Sequence, residues 1–97
     1  MGADVTLYPL TAAGWLADAA LPMERDREFF DALHDLEDRC GFERPCVTPA
    51  GDSVTLQCVT VGDLLALPWR HTRDRNGAAL AYLLCMPTDG RVGIRWQ

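Results

Sequence analysis

The chain has 97 residues, 48% of them apolar and 24% charged, and a net charge of −5. That length and mixture suit one globular domain with a single core and exclude a disordered chain, while the acidic balance excludes a general nucleic-acid binder, which needs a clustered positive surface. No apolar run approaches the ~20 residues that span a bilayer, and the N-terminus lacks a basic stretch followed by an apolar one, so a cytoplasmic protein with no membrane partner is expected.

Asp4 to Tyr8 alternates Val5 and Leu7 against Thr6 and Tyr8, the period of a short strand, which Pro9 stops or confines to a sheet edge. Thr11 suits the N-cap of a helix over 12–21, in which Trp15, Leu16, Ala19 and Ala20 share one side. The longest unbroken period comes next. Phe29, Leu33, Leu36 and Cys40 fall at i, i+4, i+7 and i+11, with Phe30 widening the stripe, and predict a helix over 24–40. Pro22 suits its first turn and Gly41 a left-handed cap at its end. The opposite face carries Glu24, Asp26, Glu28, Asp31, Asp35, Glu37 and Asp38 against Arg25, Arg27 and Arg39, so most of the chain's net charge lies here.

Beyond Gly41 the period shortens. Cys46 to Thr48 and Ser53 to Thr60 read as a hairpin around Pro49–Asp52. Leu64 to Leu67 suits a short helix capped by Asp63 and closed by Pro68. Residues 69–77 form the most polar loop and the only basic one. Residues 78–86 are almost wholly apolar, which suits a central strand covered on both faces, with a buried helix as the competing reading. After a turn at Pro87–Gly90, residues 91–97 alternate Val92, Ile94 and Trp96 against Arg91, Gly93 and Arg95, the pattern of the last strand of a terminal hairpin. The expected fold is α+β: residues 1–97 as a single two-layer sandwich, with helices 12–21 and 24–40 on one face of a mostly antiparallel sheet of about four strands.

The candidate binding surface is the acidic face, through Glu28, Asp31, Asp35, Glu37 and Asp38. Such a field steers and orients a basic protein partner; with no partner it is simply a solvated face. Ala20-Leu21-Pro22, followed by Phe29, Phe30 and Asp31-Ala32-Leu33-His34-Asp35-Leu36, resembles part of the barstar-type ribonuclease inhibitors. The likeness covers residues 20–40, with Glu24 to Glu28 replacing the family's aromatic-Gly-x-Asn segment. It implies a small sheet with helices on it, and an acidic helix, with Asp31 and Asp35 in the matching segment, that blocks a nuclease's phosphate site. The expected function is therefore a small non-enzymatic binding protein of the inhibitor, immunity or anti-defence type found in bacteria and mobile elements, masking a basic surface of a nuclease or nucleic-acid-binding protein.

Three alternatives stand beside it. An accessory or regulatory subunit would use an apolar surface through Trp15, Trp69 or Trp96. The 69–77 loop offers Trp69, Arg70, His71, Arg73 and Arg75 to phosphate or bases, with Asp74 and the acidic chain against it. The final strand, ending at Trp96, offers an edge for a homodimer. No chemistry is expected: Cys40, Cys46, Cys58 and Cys85 form no C-x-x-C pair and read as reduced core residues, with Cys58 and Cys85 inside apolar strands. Neither His34 nor His71 has a metal-ligand spacing, and no cofactor motif is present.

Overall fold

In four of the strands successive side chains part to two faces, and the apolar ones on each face demand a cover; how each face is covered decides the architecture. The computed structural model describes residues 4–69 and 74–97. In chain order it contains β1 (Val5–Pro9), β2 (Leu21–Pro22), α1 (Arg27–Cys40), β3 (Phe42–Val47), β4 (Ser53–Thr60), α2 (Val61–Leu65), α3 (Asp74–Leu84) and β5 (Arg91–Trp96). The strands form one antiparallel sheet of order β2-β1-β5-β4-β3. The fold is α+β, with five strands where about four were expected.

One face of the sheet presents Val5 and Leu7 of β1, Val92 and Ile94 of β5, and Val59 of β4. All three helices cover it, with Phe29, Leu33 and Leu36 from α1, Val61 and Leu64 from α2, and Ala79 and Leu83 from α3. α1 begins at Arg27, three residues later than its apolar period suggested, because Asp26 is the N-cap and its carboxylate accepts the Phe29 N–H at 3.1 Å. Pro22 belongs to β2 instead, opposite Thr6 of β1. Gly41 ends α1 with extended backbone, not a left-handed cap; it is a close-approach position, since a Cβ there would lie 2.5 Å from the Glu37 carbonyl oxygen. The N-cap of α2 is Thr60, whose hydroxyl accepts the Asp63 N–H, so Asp63 is the capped residue and not the cap.

The second face explains the main departures. Tyr8, Gly93, Cys58 and Phe42 form one row across β1, β5, β4 and β3. Leu56 lies over Gly93, where a Cβ would come within 2.7 Å of Leu56 Cδ1. These apolar groups are covered by residues 10–18, which form no helix. Leu10 extends β1 beside Arg91, a turn runs from Thr11 to Gly14 at φ +81°, and Ala17 N–H donates to Val47 O while Trp15 O accepts the Val47 N–H. Helical propensity at 12–21 yields to the need to bury Leu10 and Ala17 against Tyr8, Cys46 and Cys58.

Residues 78–86 belong to a helix and the turn after it, not to a strand. Ala79 and Leu83, four apart, are buried, whereas Leu84 is 64% exposed, so the run is covered on one side only. The Pro87–Gly90 turn therefore leads from α3 into β5, and the terminal hairpin gives way to a β5 inserted between β1 and β4. The final strand consequently has no open edge. Of the sheet's two outer strands, β3 carries Pro45, which cannot donate to a further strand.

A buried asparagine ties the layers. Asn76 Oδ1 accepts the Glu24 N–H at 2.7 Å, and its Nδ2 faces Glu24 O at 3.4 Å, clamping the segment between β2 and α1 to α3. Asn76→Ala removes the partner of a part-buried backbone N–H and is expected to cost about 1–3 kcal/mol, measured as a shift in the urea midpoint at constant m value.

Candidate functional site

The sequence of α1 places two stripes on opposite sides of one helix. Phe29, Leu33 and Leu36 are sealed into the core. Glu28, Asp31, Asp35 and Asp38, at i, i+3, i+7 and i+10, are all exposed. Asp35 bridges Arg39 at 2.9 Å with both side chains about two-thirds open to solvent, so solvent screening leaves the pair weak and the carboxylate accessible. Asp63 of α2 also acts on the Arg39 guanidinium and carries the negative surface past the end of the ridge.

Glu37, expected on that open face, is half-buried and accepts a hydrogen bond from Trp96 Nε1. His34 stacks on the same indole with centroids 3.7 Å apart, and Phe30 meets it edge-on at 5.4 Å. Trp96 is thus the fastener between β5 and α1 rather than an exposed anchor. Beside it lies a shallow groove of about 350 Å³, bounded by Phe30, His34, Trp96 and Asp31, with Arg25 and Arg27 at its rim.

Burial pushes the Glu37 carboxyl above its ordinary value of 4.5, aided by Asp38, while the Trp96 hydrogen bond and the nearby His34 pull the other way and lose. A carboxyl whose folded pKa exceeds its unfolded one favours the folded state most when protonated, and that contribution is lost as pH rises from the ordinary value through the folded one. Glu37→Gln keeps an acceptor for Trp96 without the charge. Its stability relative to wild type is expected to improve as pH rises across that window, in urea titrations at about pH 3.5 and about pH 7.

The basic loop is divided. Trp69 packs on Phe29 with centroids 4.5 Å apart and donates from Nε1 to Leu64 O at 2.9 Å, so its ring serves the core. Arg75, expected in the loop, lies instead in the first turn of α3, 3.5 Å from a Glu24 carboxylate oxygen. Arg70, His71 and Arg73 lie outside the described residues. Of the three tryptophans offered as apolar anchors only Trp15 is exposed, at 51%, next to the 39%-exposed Leu16.

The four cysteines are free, but only Cys46 and Cys58 are core residues. Cys85, expected inside a strand, lies exposed just past α3, and Cys40 is exposed at the end of α1 because the apolar stripe leaves the sheet there. Burial and the neighbouring Cys46 thiol push the Cys58 thiol up to about 12, so it carries no thiolate at neutral pH. Among the described residues no group of His, Cys, Asp and Glu is arranged to hold a metal ion, and no helix is long and apolar enough to cross a membrane.

A larger concavity, about 760 Å³, opens on the second face of the sheet, where Arg44 of β3 and Arg91 of β5 meet the 11–14 turn and the end of α3. Sequence reasoning missed it. Strand alternation placed Arg91 opposite the core face, but Pro45 hid the strand that carries Arg44, and the turn that walls the cavity occupies the segment assigned to a helix. Compared with protein-family models, with curated proteins and with solved structures, the chain finds no match.

Proposed function

We propose that this chain is a non-enzymatic, cytoplasmic binding protein that masks a basic surface of a protein partner with the solvent side of α1, in the manner of an inhibitor or immunity protein. One observation carries the reading. The stripe through Phe29, Leu33 and Leu36 fixes α1 rigidly, and this holds Asp31, Asp35 and Asp38 in a straight exposed row on the other side. A pre-positioned row of carboxylates loses little conformational freedom on docking and orients an incoming positive surface before contact. The resemblance of residues 20–40 to barstar-type inhibitors supports the same kind of partner, a nuclease or another protein that binds nucleic acid.

Affinity capture from the native host with wild type and with Asp31→Asn/Asp35→Asn/Asp38→Asn tests this. A basic protein retained by wild type and lost with the triple variant is the expected result; identical captured sets would remove the ridge from the interface. The exposed pair Trp15 and Leu16 supports a second reading, an accessory subunit docked through an apolar patch. Loss of the captured protein with Trp15→Ser, and not with the triple variant, would select it.

A further inference from the structure

We infer that the concavity on the second face of the sheet is a binding site for a small organic oxyanion, a phosphate or carboxylate head attached to a compact apolar body. The floor comes from the sheet and the walls from three separate stretches of chain: the Thr11–Gly14 turn, the end of α3 at Tyr82 and Met86, and the Pro87–Gly90 turn. A volume near 760 Å³ falls within the roughly 300–1,000 Å³ of small-molecule sites.

Two guanidiniums define its chemistry. Arg44 and Arg91 project from the same face of the sheet, both acting electrostatically on Cys58 beneath them. Arg91 lies over the Phe42 ring, its Cζ 4.7 Å from the centroid. Arg44 is in van der Waals reach of the 11–14 turn, where a Cβ on Gly14, itself at φ +81°, would sit 3.5 Å from Arg44 Nη1. Both side chains are part-buried, and among the described residues neither forms a salt bridge. Arg25, Arg39 and Arg75, by contrast, each meet an exposed carboxylate, whereas Arg44 and Arg91 lie part-buried together in one cavity.

Thr11, itself part-buried, contributes to the wall. Asp18 and Asp89 also border the cavity, and both are exposed. The positive floor and negative rim therefore select a ligand with a single anionic head directed inward and a tail that is not anionic. Leu10, Ala13, Met86 and Pro87 provide the apolar wall for that tail.

Three probes of similar size and different charge test the site on the intact chain by amide NMR: phenyl phosphate, benzoate and benzylamine. One or both anions are expected to shift the Thr11, Gly14, Gly90 and Arg91 amides saturably, with the indole signals of Trp69 and Trp96 unmoved, and benzylamine is expected to shift none of them. Arg44→Gln and Arg91→Gln should each weaken the anion by about tenfold or more while the dispersion of the spectrum is retained. The proposal is overturned if neither anion saturates below about 10 mM, if benzylamine shifts the same amides, or if both Gln variants bind as wild type does. These readouts do not involve the α1 ridge, so the oxyanion site stands or falls separately from the protein-docking surface.

Discussion

Leu33→Ala is expected to cost roughly 2–5 kcal/mol, the largest loss from a single truncation on α1 short of removing an aromatic ring. Leu33 has no exposed surface and stands in the middle of the α1 stripe, between Phe29 and Leu36, over the β1, β5 and β4 side chains. Truncation removes the transfer free energy of the buried methyl groups and leaves a cavity that a strand-backed core closes poorly. Leu84→Ala, on α3 at 64% exposure, is the internal control and should stay within about 0.5 kcal/mol. Urea unfolding followed by circular dichroism separates the two, and equal losses would mean that α1 is not fastened as described.

The second large effect concerns rate. Asp31→Asn/Asp35→Asn/Asp38→Asn should leave the unfolding midpoint nearly unchanged, because among the described residues the ion-pair partner of these carboxylates is the exposed Arg39, and loss of that solvent-screened pair is offset by relief of repulsion along the ridge. Association with the captured partner should slow by about tenfold or more, since the field that guides the encounter is removed. Stopped-flow mixing reads this directly. An unchanged association rate with faster dissociation would place the contact elsewhere on the molecule.

These two expectations rest on the part of the chain that was most legible. The Phe29-Leu33-Leu36 period announced α1, and the charges between those positions announced its solvent side. The turn end of the β3–β4 hairpin, β4 itself and the alternation of β5 were equally readable, because each pattern is local, whereas the first four residues of β3 were not. Residues 12–21 were not, since their conformation is dictated by an apolar sheet face built from β1, β3 and β4, which no window of the sequence contains. Residues 78–86 failed for a related reason: an apolar run of that length suits a doubly covered strand or a singly covered helix, and only the exposure of Leu84 tells them apart. Glu37 shows the limit of counting charges on a helical wheel. It carries the charge of the open face yet is spent on Trp96, fifty-nine residues away. The Arg44–Arg91 cavity combines both difficulties, a strand masked by Pro45 and a wall made by a turn that local propensity read as helix.

Whether the carboxylates of α1 govern contact with the partner is measured most directly by the dependence of the wild-type association rate on salt. Between roughly 0.05 and 0.5 M salt the Debye length shrinks severalfold, and the rate constant is expected to fall by at least about tenfold. A rate constant that stays flat across that range would contradict docking through the carboxylates and leave the apolar patch at Trp15 as the docking surface.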